Sequence, residues 1–227
     1  IDDDNYELKN GNGFIKEYNY DGKLEFEGEY LNGFRNGKGK EYHDNGELKF
    51  EGHYLYNHKL KGREYNNELL EYEGEYFNEL RSGKGKEYYN NYLIFEGEYS
   101  NGKRNGTGKE YYKNGQIKYE GDFINGKYEG EGKIFSENGK YYKGQFNSGL
   151  RHGKGTEYDK DGNIIYEGDF FNGKREGKGK SNFNNIIYEG DFVNGKAEGN
   201  GKIIYENGQY YIGQMKNDHR HGKGILY

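Results

Sequence analysis

The chain has 227 residues, of which 30% are hydrophobic and 18% aromatic, with a formal net charge of −5. Its aliphatic residues are too few for a layered Leu/Ile/Val core, its aromatic content is the opposite of a disordered chain's, and its acidic balance argues against nucleic acid as a partner. Forty glycines without a proline exclude collagen and polyproline helices, and the absence of cysteine excludes disulfides and thiolate metal sites.

Taken in chain order, the sequence opens at Ile1 on a partial copy of a repeat, residues 1–25, marked by Gly11, Gly13 and Asp21-Gly22. A piece of a longer protein is the expectation, carrying one repeat array over 1–227 with full copies from about residue 26. The first full copy reads as a strand over 26–30, a loop over 32–36, a strand over 37–42 and a turn at Asn45-Gly46. Its core glycine, Gly28, recurs as Gly52, Gly74, Gly97, Gly121, Gly144, Gly168, Gly190 and Gly213, 22–24 residues apart. The second and third copies depart from the pattern. Asn57-His58 and Asn78-Glu79 stand in place of Asn-Gly, and Leu60 stands where the first glycine of a Gly-x-Gly pair is expected. Here Leu55, Leu60, Leu69, Leu70 and Leu80 are expected to cluster, as a bend or partner surface if the departures are more than drift. Later copies close on Asn114-Gly115, Asn138-Gly139, Asp161-Gly162 and Asn207-Gly208, while Asn182 takes the place of a ring. The last copy stops after its Gly222/Gly224 strand. Its free edge makes residues 205–227, with Tyr205, Tyr211, Met215 and Tyr227, a candidate end-to-end dimer region.

Two residues before each core glycine stands a ring: Phe26, Phe50, Tyr72, Phe95, Tyr119, Tyr142, Tyr166, Tyr188 and Tyr211. Two residues after it stand Tyr30, Tyr54, Tyr76, Tyr99, Phe123, Phe146, Phe170 and Phe192, with Met215 in the last copy. Strand alternation puts each pair and its glycine on one face, where rings can cover bare backbone and pack together. These rings are the candidate groove, serving both as core and as contact surface for a partner. The other face carries Glu27/Glu29, Glu73/Glu75 and Glu189/Asp191 opposite Lys38/Lys40, Lys84/Lys86 and Lys178/Lys180, a ladder of opposite charges. Tyr42, Tyr88, Tyr111 and Tyr158 share the parity of the lysines, so a bulge or bend is expected beside them. Consecutive hairpins at this period give an all-β, elongated, twisted, single-layer antiparallel sheet, about 90 Å long at ~4.8 Å per strand.

Nothing in this pattern carries catalysis. His152 and His221 share a slot before a Gly-x-Gly, and His219 with His221 and Asp218 reads as an incidental loop cluster rather than a metal site. The Gly-x-Gly pairs lie on strands, with no helix N-terminus to hold a phosphate. We expect no catalytic residue, no metal and no cofactor. No apolar run approaches the ~18 residues of a spanning helix.

The recurring Tyr-x-Gly-x-Phe, Asn-Gly-Lys and Gly-x-Gly, cleanest from Tyr188 to Gly201, resembles the MORN repeat (membrane occupation and recognition nexus) over Gly11 to Tyr227. The Tyr112 to Gly121 rhythm is also similar to bacterial antitoxin-like repeats. The MORN resemblance implies single-layer sheets of hairpins with an aromatic-lined groove. It implies cytoplasmic roles in protein assembly at cytoskeletal or membrane-associated structures, often as homodimers, and attachment to larger enzymes or junctional proteins. Acidic phospholipid binding is a further implied role. Lys103/Arg104, Lys174/Arg175 and Arg220/Lys223 are the basic residues nearest to such a surface.

Overall fold

The computed structural model describes residues 10–227, and the start of the partial copy, residues 1–9, lies outside the described residues. All regular structure among the described residues is β-strand. None of it is a helix long and apolar enough to cross a membrane. The chain forms two compact units, Ile1–Gly115 and Gln116–Tyr227.

The first unit contains β1 (Gly13–Tyr18), β2 (Leu24–Leu31), β3 (Phe34–Tyr42), β4 (Leu48–Leu55), β5 (His58–Asn66), β6 (Leu69–Phe77), β7 (Leu80–Tyr89), β8 (Tyr92–Ser100) and β9 (Lys103–Tyr111). In the second are β10 (Ile117–Ile124), β11 (Lys127–Phe135), β12 (Tyr141–Asn147), β13 (Leu150–Tyr158), β14 (Ile164–Phe171), β15 (Lys174–Phe183), β16 (Ile186–Val193), β17 (Lys196–Ile204), β18 (Tyr210–Lys216) and β19 (His219–Leu226). Within each unit every strand pairs antiparallel with its sequence neighbours. From β2 to β9 and from β10 to β19 glycine faces glycine at each step, whereas β1 sets Ile15 against Gly28. The column Gly28, Gly39, Gly52, Gly62, Gly74, Gly85, Gly97, Gly108 runs across the first unit. A second column runs from Gly121 to Gly224. Its cause is steric. A Cβ at Gly39 would lie 2.5 Å from Cζ of Phe26, whose ring rests across the paired backbones.

The expected loop over 32–36 is shorter than the sequence suggested. Asn32 and Gly33, at φ 52° and 82°, close the turn alone, and β3 resumes at Phe34 opposite Leu31. Such a pair of left-handed residues matches the twist of the strands it joins. The surplus residues enter a bulge between Arg35 and Gly39, where Gly37 takes φ 106°. In the second copy the turn residues are Tyr56 and Asn57 (φ 48° and 70°), not Asn57-His58. Its two column glycines are ten residues apart instead of eleven, so one bulge residue is missing. Leu60 sits in the smaller bulge that remains and needs no left-handed backbone. Glu79 occupies φ 63° in the third copy, which keeps its turn without glycine.

At the opposite edge, strands are joined either by four-residue turns, such as the one with Gly46 N–H donating to the His43 carbonyl at 2.8 Å, or by the pairs Asn67-Glu68, Asn90-Asn91 and Asn184-Asn185 at positive φ. The expected irregularity beside Tyr42 is present between Glu41 and Tyr42. Tyr42 keeps the parity of the lysines because it belongs to the charged face, where its hydroxyl donates to Glu27 at 2.7 Å. Tyr65 does the same to Glu51 and Tyr111 to Glu96.

Candidate functional site

On the ring face the aromatic pairs form a continuous zigzag within each unit. Phe26 meets Tyr54 edge-on at 5.2 Å, Phe50 meets Tyr76 at 5.4 Å and Tyr72 meets Tyr99 at 5.2 Å. In the second unit Tyr119 meets Phe146, Tyr142 meets Phe170 and Tyr166 meets Phe192 at 4.9–5.2 Å. Such edge-to-face contacts add about 0.5–1.5 kcal/mol each to the burial itself. Met215 takes the ring's place in the last pair and is buried to 4% exposure.

As a contact groove, this face is corrected by the structure. From Phe26 through Tyr211 the rings are 0–7% exposed, with Tyr30 half-buried. In most copies their outer sides are covered by the cation that follows the turn, while in two copies Tyr128, stacked on Tyr119 at 3.8 Å, and the buried Ala197 take its place. The Arg35 guanidinium lies 4.0 Å from the Phe26 ring centre, Lys59 lies 4.5 Å from Phe50, Arg81 4.4 Å from Tyr72, Arg104 4.5 Å from Phe95 and Arg175 4.5 Å from Tyr166. Each cation is tied to a carboxylate set two residues beyond a column glycine. Lys59 pairs with Glu41 at 3.0 Å, Arg81 with Glu64 at 2.6 Å, Arg104 with Glu87 at 2.8 Å and Arg175 with Glu157 at 2.5 Å. Burial pushes the Glu41 carboxyl up, but the Lys59 charge and hydrogen bond and the Tyr54 hydroxyl outweigh it and leave it lowered. The rings are therefore core, and the surface above most of them is a row of cation–carboxylate pairs. Sequence reading missed this row. Its signal was present in most copies, since Arg35, Arg81, Arg104 and Arg175 share the parity of their column glycines and not that of the Glu/Lys ladder, whereas Lys59 is shifted out of it by the missing bulge residue.

Phenol hydroxyls are distributed by position. The ring before the core glycine, when tyrosine, reaches across it to the backbone: Tyr72 donates to the Glu75 carbonyl and Tyr119, Tyr142, Tyr166, Tyr188 and Tyr211 do likewise at 2.9–3.2 Å. After the core glycine, Tyr54 donates to Glu41 at 2.9 Å and Tyr99 to Glu87 at 3.0 Å, both in the carboxylate row. Burial raises the Tyr142, Tyr166 and Tyr188 phenols to about 12. It also raises Tyr54, Tyr72, Tyr76, Tyr99 and Tyr119.

The charged face is open. In the first unit it holds a groove of about 950 Å³ between Phe14 and Lys84, running across the strands over Gly39, Gly52, Gly62 and Gly74. Glu27, Glu51, Glu73 and Glu75 line it with Lys38, Lys40, Lys61, Arg63 and Lys84. Arg63 pairs with Glu73 at 3.1 Å and with Glu51 at 3.7 Å.

The five leucines do not come together. Leu55 and Leu80 flank turns at one edge of the first unit, with Leu60 near them, whereas Leu69 and Leu70 begin β6 at the other edge. Seven residues of strand separate Leu70 from Phe77, the partner of Leu80, a distance of about 23 Å. The candidate dimer residues are likewise divided. Tyr211 and Met215 are buried in the ring face, Tyr205 is half-buried, and Tyr227 is 56% exposed and stacked on Tyr210 at 4.7 Å. Among the described residues no group of three or more His, Asp or Glu is placed to hold a metal.

Against known families, the MORN repeat matches residues 72–93, 95–117, 119–141, 142–164, 166–185, 188–210 and 211–227. A MORN repeat variant matches residues 35–56. The second copy's β5, where the bulge is shortened, lies between these matches. No curated protein matches the chain. With one hairpin per match, a glycine column under every ring pair and most of its length covered, the chain belongs to the MORN-repeat family.

Proposed function

We propose that this chain is a non-catalytic repeat scaffold that mediates protein–protein interaction or homotypic assembly, at cytoskeletal or membrane-associated structures of the cytoplasm. The observation that carries the reading is the contrast between the two faces. The ring face is closed by cation–carboxylate pairs, and the charged face of the first unit presents an open groove of about 950 Å³. A groove open to water along its length binds a surface but offers no enclosed site for chemistry. The test is light scattering of the full chain across a concentration range, followed by cross-linking mass spectrometry in extract. A scaffold gives a saturable, stoichiometric protein complex, either with itself or with another chain. A monomer that captures no protein at stoichiometric yield contradicts it.

A second reading, a phospholipid-recruiting module of a larger protein, is favoured by one observation, the exposed lysines Lys38, Lys40, Lys61 and Lys84 in that groove. Sedimentation with anionic and neutral vesicles at two salt concentrations separates the two readings. Salt-sensitive binding to anionic vesicles alone supports recruitment to lipid, and its absence removes that reading.

A further inference from the structure

We propose that the charged face of the first unit docks an acidic amphipathic helix of a partner protein, an inference that rests on the scaffold reading and names the chemistry of its ligand. The first observation is unsatisfied charge. In the second unit the ladder lysines are held by carboxylates, Lys154 by Asp169 at 2.6 Å, Lys178 by Asp191 at 2.5 Å and Lys180 by Glu189 at 2.6 Å. Lys38, Lys61 and Lys84 occupy the equivalent ladder of the first unit and are exposed. None has a carboxylate within 4 Å of its Nζ among the described residues. For Lys38 the cause is visible in the register, whereas Lys61 and Lys84 face Glu75 and Glu98, and the Glu98 carboxylate accepts from the Thr107 amide in the next bulge instead. His53 lies directly opposite both Lys38 and Lys61, where the second unit places Asp169 opposite Lys154 and Asp191 opposite Lys178.

The second observation is apolar and lies on the same face. Leu31 faces Phe34 and Phe77 faces Leu80 across their turns, with Leu55 between them in the intervening copy. Strand alternation puts Leu31, Leu55 and Phe77 on the side of the glutamates, opposite the rings. All five are 41–67% exposed. In the second unit the same cross-strand positions pair an apolar or polar side chain with a lysine or a single leucine: Ile124 with Lys127, Phe171 with Lys174, Val193 with Lys196 and Asn147 with Leu150. Ile124, Leu150, Phe171 and Val193 are themselves 45–55% exposed, so what sets the first unit apart is an apolar pair across the turn, as in Leu31/Phe34 and Phe77/Leu80, beside open lysines.

Spacing selects a helix as the occupant. Lys38, Lys61 and Lys84 recur on every second strand, a step of about 9–10 Å at ~4.8 Å per strand. Seven residues of α-helix advance about 10.5 Å. A helix lying across the strands would therefore offer one apolar side chain to the rim and one carboxylate to the lysines at each heptad, and ~13 residues would reach from Lys38 to Lys84.

The test uses fluorescence anisotropy of the full chain with an 18-residue peptide bearing leucines at heptad positions and glutamates elsewhere. Its comparison probes are the same residues scrambled, a version with lysine for glutamate, and phosphatidylserine–phosphatidylcholine vesicles. Preference for the ordered acidic peptide by tenfold or more over the other peptides is expected. Lys38→Glu/Lys61→Glu/Lys84→Glu should weaken it at least tenfold, as should Leu55→Ser/Phe77→Ser, and His53→Glu should weaken it severalfold by supplying the missing carboxylate. Lys154→Glu/Lys178→Glu/Lys180→Glu should leave it within twofold, with folding of each variant checked by circular dichroism. Equal binding of the scrambled peptide, binding to vesicles only, or affinity unchanged in the groove variants would overturn the proposal. If those variants still form the protein complex found in extract, the scaffold reading stands while this groove does not.

Discussion

Within each ring pair, a hydroxyl has somewhere to go only at certain positions. Phe26/Tyr30, Phe50/Tyr54 and Phe95/Tyr99 carry it after the core glycine, whereas Tyr119/Phe123, Tyr142/Phe146, Tyr166/Phe170 and Tyr188/Phe192 carry it before. Tyr72/Tyr76 carries two. Tyr72 takes the backbone carbonyl, and Glu64, the carboxylate set for the second hydroxyl, is turned to Arg81 through both Nε and Nη2. Tyr76 Oη is left buried without a hydrogen-bond partner among the described residues. An unsatisfied buried hydroxyl costs about 1–3 kcal/mol, while a satisfied one contributes about 1 kcal/mol. Tyr76→Phe should therefore be neutral or stabilising by about 1 kcal/mol, and Tyr54→Phe destabilising by about 1 kcal/mol, measured by urea denaturation. Equal losses in both would contradict the assignment. At the glycine column, Gly39→Ala forces a methyl into the Phe26 ring and should cost about 2–3 kcal/mol. Gly126→Ala meets nothing within 4 Å and bears only the strain of φ 81°, about 1 kcal/mol. Thermal melts of the two variants check the difference.

At the scale of the hairpin, the rings, the glycines and the alternation of faces were all legible in the sequence, because period-2 geometry leaves a fixed offset between Phe26, Gly28 and Tyr30. Loop lengths were less so. Gly37 reads in sequence as the first residue of a strand after a loop over 32–36, but it lies well inside β3, where its φ of 106° accommodates a bulge whose Lys38 amide donates to Glu29 at 2.8 Å. The missing residue near Leu60 could not be told from a glycine substitution without the register. Least legible was the cover over the rings, since Arg104 and Glu87 lie 17 residues apart and meet only after two strands have paired. That cover is testable. Arg104→Ala uncovers Phe95 and leaves Glu87 and Glu110 without their shared cation. A loss of about 1–2 kcal/mol is expected, combining the cation–π contact with a partly buried ion pair. A change below ~0.3 kcal/mol in chemical denaturation would show that the row is ornamental.

For the whole chain, stability resides in the same few contacts repeated, so conditions that affect one tyrosine affect many. Buried phenols such as Tyr142, Tyr166 and Tyr188 titrate at about 12 when folded, against about 10 when unfolded. The stability they contribute is complete below pH 10 and is lost as pH rises through 12, because the unfolded chain gives up its protons first. Absorbance at 295 nm should rise as these core phenols ionise near pH 12, together with loss of β-sheet circular dichroism. The rings are interior to the sheet, which leaves the lysine face as the surface open to partners. Hydroxyl-radical footprinting with mass spectrometry on the folded chain measures this most directly. Tyr20, Tyr56, Tyr89 and Tyr227 should oxidise rapidly, while Tyr54, Tyr72, Tyr119, Tyr166 and Tyr188 stay protected until denaturant unfolds the sheet. Oxidation of the second group at the rate of the first, in the folded chain, would contradict it.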